Sequence, residues 1–254
     1  MSYKVQTFDS DGAIIAYTDQ GDGDPILLLH GFASNITTNW IDTKWISYLL
    51  REDRRVIAMD HRGHGQSQKI HDPKLYSADI MAQDARRLLD YLNVDCSDIM
   101  GYSMGARVAA FLALAHPEKV RSVILGGLGF NIVCDMPNTS LIADALEASS
   151  VDLIKNNMAR TFRVFAEQTC SDLVALAACI RSSRNSISKE DIALINCPVL
   201  VAVGTNDDIA GSARDLAKLI PNAQSFEIKG RDHMKAVGDF SYKQAVVNFL
   251  SERF

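Results

Sequence analysis

Short, continuous apolar runs separated by longer segments of helical periodicity are the feature of this sequence that most restricts its fold. The apolar runs are residues 26–29, 56–59, 99–102, 120–125 and 199–203. Runs of this length are typical of strands that are buried on both faces. Residues 77–92 and 104–116 lie between such runs and carry apolar side chains at helical spacing. The alternation predicts an α/β fold with a mostly parallel, doubly wound β-sheet and helices on both faces.

The first residues follow a different pattern, in which two alternating segments within residues 4–19 flank Asp11-Gly12. An Asp-Gly pair supplies the positive φ angles of a tight hairpin turn. We therefore expect the chain to begin with an antiparallel ribbon.

One interval interrupts the alternation of strands and helices. Residues 131–197 contain helical patterns at 141–148, 151–167 and 172–180, and no convincing strand. They could be extra helices packed on the sheet, but so long an excursion within a compact domain is often a lid over a site. The sequence predicts one core formed by residues 1–130 and 198–254, with residues 131–197 inserted as a helical cap. This interval is called the cap segment below.

Composition argues against several classes of partner. The 254 residues carry a net charge of −5 without a basic stripe, so nucleic acid is not an expected ligand. We find no apolar run long enough for a membrane span, no signal peptide and no spacing typical of a metal or dinucleotide site. The five cysteines form an odd set without C-x-x-C, which favours a reducing compartment. We expect a cytoplasmic protein that needs no cofactor or metal and acts on a small molecule.

The most specific local motif is Gly101-Tyr102-Ser103-Met104-Gly105, between an apolar strand and a helix. In this context G-x-S-x-G is typical of a nucleophile elbow, a sharp turn that exposes the serine above the sheet. Side chains two positions before and after the serine would collide, which explains both glycines. Alternatively, Ser103 could only cap the helix at a glycine-rich strand end.

A serine hydroxyl needs a base to remove its proton and a third group to orient that base. Of six histidines only His233 lies in a late loop, between the stretch 223–228 and a helical pattern at 240–250. Two acids, Asp207 and Asp208, follow the predicted strand 199–203. Adjacent residues that leave a strand point in different directions, so only one of them is expected to reach the base.

With these motifs the sequence resembles the α/β-hydrolases over nearly its whole length. The matching features are the elbow at Ser103, a G-x-x-D turn that ends at Asp207, the segment 230–233 with its histidine, the His-Gly-Phe at 30–32 and the D-H-R-G-H-G-Q-S at 60–67. The resemblance implies a catalytic triad of Ser103, Asp207 and His233. It leaves Asp208 as a turn residue or as the cap of a helix near residue 212.

The resemblance also assigns roles around the nucleophile. It implies that the backbone N–H groups of Phe32 and Met104 form the oxyanion hole. His30 becomes a structural residue beside the site, and His61 and His64 belong to a scaffold loop without catalytic function. In that loop Asp60 and Arg62 can pair.

These features together predict a serine hydrolase that cleaves a small to medium, mostly uncharged ester through an acyl-serine intermediate. The cap segment has eight acidic and six basic residues and thus no evident site for a highly charged substrate. Its apolar residues could line a pocket or be ordinary core: Leu153, Ile154, Met158, Phe162, Phe165, Leu173 and Leu176.

Several related activities remain open from the sequence. They are carbon–carbon bond hydrolysis, enol-lactone hydrolysis, perhydrolysis and slow-turnover ligand sensing, all of which use the same triad. The single glycine after His30 differs from the H-G-G-G run of many lipases and esterases. Serine at position 103 argues against epoxide hydrolases and haloalkane dehalogenases, which have aspartate there.

Overall fold

The computed structural model describes residues 3–134 and 139–252. Within them, eight strands form a single sheet. They are β1 (Gln6–Ser10), β2 (Ala13–Gln20), β3 (Asp24–Leu29), β4 (Arg54–Met59), β5 (Ser97–Tyr102), β6 (Val120–Gly126), β7 (Val199–Gly204) and β8 (Ala223–Ile228). Each predicted buried run coincides with one of the central strands.

The strand order is β1-β2-β4-β3-β5-β6-β7-β8. β1 pairs with β2, and β2 with β4, in antiparallel fashion, whereas the remaining neighbours are parallel. Asp11 and Gly12 have φ angles of 56° and 84° at the turn between β1 and β2, which confirms the predicted hairpin. Because parallel strands end at one edge, the loops after β3, β5, β7 and β8 meet on the same side of the sheet.

Helices cover both faces of the sheet. They are α1 (Trp45–Arg51), α2 (Ala78–Tyr91), α3 (Met104–Ala115), α4 (Thr139–Glu147), α5 (Asn157–Gln168), α6 (Leu173–Ser182), α7 (Lys189–Ile192), α8 (Ala213–Ala217), α9 (His233–Ala236) and α10 (Phe240–Glu252). Alternate residues of each central strand enter different cores. In β3, Leu27 and Leu29 pack with α2 and α3, whereas Ile26 and Leu28 pack with α1 and α10. This confirms the doubly wound α/β architecture.

The cap segment contributes α4 to α7 between β6 and β7. The predicted single helix over 151–167 is wrong, because a 3₁₀ turn (Val151–Leu153) and α5 replace it. The break has a local cause: the Asn156 side chain accepts a hydrogen bond from Ala159 N–H at 2.9 Å and thereby begins a new helix. None of the helices in the described ranges is both long and apolar enough to cross a membrane.

A buried cation connects the cap segment to the core. Arg107 on α3 is fully buried, and its Nη1 donates to the carbonyl oxygens of Ile132 at 3.1 Å and Asn185 at 2.6 Å. Burial lowers the pKa of Arg107 to about 10. Ile187 N–H also donates to Ile132 O at 3.1 Å, so the two ends of the insertion meet beside α3.

Candidate active site

The turn between β5 and α3 holds Ser103 in a strained conformation, with φ 54° and ψ −110°. Ser103 N–H donates to Gly126 O on the neighbouring strand at 2.7 Å, which fixes the turn against the sheet. A methyl group on Gly101 would overlap the backbone of Gly105, and one on Gly105 would overlap that of Leu29. Both glycines are therefore required by close backbone packing, as the sequence suggested.

Three predicted residues form one hydrogen-bonded chain above the sheet edge. The Ser103 Oγ lies 3.0 Å from His233 Nε2, and His233 Nδ1 lies 2.7 Å from Asp207 Oδ2. His233 is the first residue of the short helix α9, not a loop residue as its position had suggested. Asp232 begins this helix by accepting hydrogen bonds from Met234 N–H and Lys235 N–H.

The carboxylate of Asp207 is fully buried and held by the turn that follows β7. Its Oδ1 accepts hydrogen bonds from Ile209 N–H at 2.9 Å and Ala210 N–H at 3.0 Å. Asp208 is exposed, and it does not cap α8, because the Ser212 hydroxyl accepts from Asp215 N–H there. Of the two adjacent acids, the one in contact with His233 is Asp207.

The loop after β3 lies against the serine turn. Gly31 N–H donates to Asn39 Oδ1 at 3.0 Å, and a methyl group on Gly31 would lie 3.5 Å from Ser103 Cβ. Phe32 follows, and Ala33 adopts a left-handed φ of 58° with its carbonyl accepting from Thr169 Oγ1 of the cap segment at 2.8 Å.

Met104 is the first residue of α3, so its N–H lies at a helix end without an intrahelical acceptor. The structure thus places Phe32 and Met104 on the two segments that flank Ser103.

Three histidines beside this loop are completely buried. Burial lowers the pKa of His30 to about 4 and that of His64 to about 3, and it lowers the pKa of His61 as well. His30 Nδ1 donates to Gly31 O at 2.7 Å, and its Nε2 accepts from His61 N–H at 3.0 Å. These contacts fix the loop that leads to Phe32.

Asp60 and Arg62 do not use the opportunity to pair that the resemblance allows. Arg62 instead makes two hydrogen bonds of 2.7 Å to Asp84 on α2. Asp60 accepts from the backbone N–H groups of Ile36 and Gln66, both at 2.7 Å. The Asp60 carboxylate therefore binds the backbone of its own loop, and the Arg62 guanidinium binds the buried Asp84 of α2.

Two chambers meet at His233. The smaller has a volume of about 140 Å³ and includes Ser103, Gly31 and Val237 in its wall. The larger, of about 590 Å³, has a mostly apolar surface, and its polar residues include Asn131, Arg184 and Asp208. Four side chains contact both chambers: Phe162, Phe165, His233 and Met234.

The cap segment supplies part of these walls. Of its seven apolar candidates, Met158, Phe162 and Phe165 line the larger chamber. Leu176 is buried in the core, whereas Leu153 is 65% exposed. Ile154 is buried and Leu173 is partly buried against the same core, as expected for ordinary core residues.

Two residues near the site had no distinguishing signal in the sequence. Arg184 counted only as one charge of the cap segment, yet its guanidinium lies 5.9 Å from the centre of the Phe32 ring. Tyr102 occupies a variable position of the elbow motif, yet its hydroxyl donates to His233 O at 2.6 Å. Contacts between residues 131 positions apart cannot be inferred from local spacing. Within the described residues, no group of three or more metal-ligating side chains is assembled.

Comparison with known proteins gives a consistent classification. A family model for the alpha/beta hydrolase fold matches residues 24–178. The 2-hydroxymuconate semialdehyde hydrolase of Pseudomonas sp. (strain CF600) is 36% identical over 109 residues, which cover 43% of this chain and 38% of that protein. The chain therefore matches well under half of the length of this relative.

Two solved structures are similar over nearly the whole chain. A hydrolase from Pseudomonas aeruginosa PA01 has a TM-score of 0.81 and 23% identity, covering 97% of this chain and 98% of that one. The esterase EaEST from Exiguobacterium antarcticum has a TM-score of 0.81 and 19% identity, covering 99% and 100%. At these identities the two structures support the fold alone.

Proposed function

The chain belongs to the alpha/beta hydrolase fold family, and from this premise we propose that it is a serine hydrolase that cleaves small to medium, mostly uncharged esters. The observation that carries the proposal is the continuous hydrogen-bonded chain from Ser103 through His233 to Asp207. A serine hydroxyl becomes nucleophilic when a base accepts its proton and a carboxylate orients that base.

The proposed reaction has two steps. His233 Nε2 takes the proton of Ser103 Oγ as the oxygen attacks the acyl carbon, and Asp207 stabilises the imidazolium. The N–H groups of Phe32 and Met104 stabilise the negative oxygen of the tetrahedral intermediate. His233 then gives its proton to the departing alcohol, which leaves an acyl-serine. Water that loses a proton to His233 attacks this ester, and Ser103 recovers its proton as the carboxylic acid departs.

The two chambers suggest how the substrate lies. The acyl group stays attached to Ser103 during the reaction, so we assign it to the 140 Å³ chamber that Ser103 lines. The alcohol must accept a proton from His233, so we assign it to the 590 Å³ chamber, which His233 lines without Ser103. A cavity of about 150 Å³ accommodates a benzene-sized molecule. The acyl group should therefore be short.

We further propose that the cap segment, residues 131–197, acts as a lid on a core formed by residues 1–130 and 198–254. Phe162 and Phe165 from α5 line both chambers, as His233 does. Their place in the wall of the chamber that Ser103 lines supports a small substrate that is enclosed during the reaction.

Carbon–carbon bond hydrolysis is the second candidate. The 36% identical relative is named for hydrolysis of 2-hydroxymuconate semialdehyde, and Arg184 gives the larger chamber a cation. The same Ser103, His233 and Asp207 would serve, but the leaving group would be a carbon atom that requires protonation. An ester panel and a ring-cleavage-type diketone separate the two reactions.

The test begins with a fluorophosphonate probe and peptide mapping, which should locate the label on Ser103. The labelled protein is then compared with Ser103→Ala, for which we expect loss of labelling and of at least ~10³-fold in turnover of p-nitrophenyl acetate. Undiminished hydrolysis by Ser103→Ala contradicts the mechanism. Faster cleavage of the diketone than of every ester favours the second candidate.

A further inference from the structure

The backbone of His233 is bound directly to the strand that ends at the nucleophile. Tyr102 is the last residue of β5, and its hydroxyl donates to the carbonyl oxygen of His233 at 2.6 Å. The two rings also pack, with 5.6 Å between their centres. Tyr102 precedes Ser103 in the sequence. It thus contacts the backbone of His233, whose imidazole contacts Ser103.

This hydroxyl lies at the point where α9 would otherwise add a hydrogen bond. In α9, Ala236 N–H donates to Asp232 O at 3.0 Å, and the next bond of a regular helix would run from Val237 N–H to His233 O. His233 O accepts from the Tyr102 hydroxyl, and the backbone of Val237 lies close to the phenol oxygen. The hydroxyl therefore binds the first carbonyl group of this one-turn helix, beside the residue that follows the helix.

Neighbouring contacts hold the same segment from other directions. Asp232 accepts from the backbone at the start of α9, and Trp45 Nε1 donates to Val237 O at 2.6 Å. Burial, followed by the charge of Asp207, raises the pKa of Tyr102 well above its ordinary value. The phenol consequently remains a hydrogen-bond donor throughout the neutral pH range.

We propose that Tyr102 is a positioning residue, whose hydroxyl sets the distance of the His233 imidazole from Ser103 and Asp207. The inference rests on the proposed function, since it assigns a role within the same site. Without the hydroxyl, Val237 N–H and His233 O can pair with each other, and α9 gains a regular hydrogen bond. His233 would then move with its helix away from the 3.0 Å and 2.7 Å contacts described above.

Tyr102→Phe tests the proposal, and Tyr242→Phe is the matched control. Tyr242 is a second fully buried tyrosine nearby, and among the described residues its hydroxyl has no hydrogen-bond partner. For p-nitrophenyl acetate we expect Tyr102→Phe to lower kcat about tenfold with KM changed less than twofold. Tyr242→Phe should leave both constants unchanged. The unfolding temperature of Tyr102→Phe should stay close to that of the wild type, because the freed carbonyl oxygen of His233 can accept from Val237 N–H.

Proton NMR supplies a readout that needs no substrate. The Nδ1 proton between His233 and Asp207 should give a far-downfield resonance that shifts or broadens in Tyr102→Phe and is unchanged in Tyr242→Phe. The wild-type spectrum should also contain a slowly exchanging hydroxyl proton from Tyr102. The hydroxyl resonance shows whether Tyr102 forms its hydrogen bond to His233 O, even if the variant fails to fold.

The outcomes are distinct. Unchanged kcat and an unchanged Nδ1 resonance in Tyr102→Phe overturn the proposal. A lower unfolding temperature with undiminished kcat also overturns it, because Tyr102 would then be only structural. If the wild type cleaves no ester, the proposed function fails, and the NMR comparison still tests the role of Tyr102.

Discussion

Asp207 presents one carboxylate oxygen to His233 and commits the other to its own turn. Oδ2 lies 2.7 Å from His233 Nδ1, while Oδ1 accepts two backbone N–H groups, from Ile209 and Ala210. The carboxylate cannot rotate without losing both backbone contacts. This arrangement fixes which tautomer of the imidazole is stable, with the proton on Nδ1 and the lone pair of Nε2 toward Ser103.

Asp207→Asn should lower turnover by roughly 10³- to 10⁴-fold with little change in unfolding temperature. The two backbone donors select the amide oxygen of the new side chain, so its NH₂ group faces His233. Nδ1 must then accept, Nε2 carries the proton, and the imidazole can no longer take the proton of Ser103. Steady-state kinetics and thermal unfolding of the purified variant measure both effects.

Asp208→Asn is the matched control for that experiment. Asp208 is exposed and differs from Asp207 by one position, so its loss should cost no more than about tenfold in turnover. A larger loss of turnover for Asp208→Asn than for Asp207→Asn would show that Asp208 is the acid of the triad.

Gly105→Ala should prevent folding or destabilise the protein by several kcal/mol, because the added methyl group overlaps the backbone of Leu29. Gly230→Ala is the appropriate comparison. Gly230 has a positive φ of 69°, which Gly105 lacks, but nothing lies within 4 Å of the methyl group that the substitution would add. It should cost only about 1 to 2 kcal/mol, the price of a left-handed alanine. Urea unfolding of the two variants distinguishes overlap from backbone strain, and equal losses would contradict the packing argument.

Short acyl groups should be preferred, with kcat/KM highest at or below about six acyl carbons and reduced about tenfold at octanoyl. Val237→Ala enlarges only the smaller chamber and should move the optimum toward longer chains. Met158→Ala alters the larger chamber and should leave acyl preference unchanged. A series of p-nitrophenyl esters measures the profile. A rate that rises steadily to palmitoyl, with activation at a lipid interface, would show that the cap segment is a lipase lid.

Stability should fall as pH decreases from 6.5 toward 4. His30 and His64 titrate at about 4 and about 3 in the folded protein because they are buried, whereas unfolded histidines titrate near 6.5. In this window the unfolded chain binds more protons, so each histidine removes about 1.4 kcal/mol per pH unit from the free energy of unfolding. Burial raises the pKa of Asp60, which opposes part of this loss near its lower end.

Urea unfolding at pH 7.5, 6 and 5 measures this slope. His64→Gln should reduce the slope by about 1.4 kcal/mol per pH unit, the contribution of one proton. A stability independent of pH between 7.5 and 5 would show that the buried histidines do not titrate on unfolding.

The parts of the molecule that the sequence predicted correctly depend on local geometry. The hairpin at Asp11 and the glycines around Ser103 are each required by backbone conformation within a few residues. The partner of Arg62 could not be inferred in this way, because two acids compete for it and the sheet brings Asp84 of α2 to the guanidinium.

The break in the predicted 151–167 helix had a signal that periodicity obscured. Asn156 is a good helix-capping residue, but the apolar spacing continues across it. The contact between Tyr102 and His233 had no signal at all, since it depends on how the loops after β5 and β8 meet. Local motifs therefore identified the side chains that the structure brings together, and tertiary packing decides what holds them.

The hydrogen bond from Thr169 to Ala33 O has a consequence for motion. Ala33 holds an unfavourable left-handed conformation next to Phe32, and one of its stabilising contacts comes from the end of α5. If the cap segment lifts to admit a ligand, that contact is lost and the loop after β3 gains conformational entropy. A ligand that closes the cap segment must therefore order both α5 and the loop after β3. On ligand binding, amide exchange should slow together in α5 and in residues 31–34.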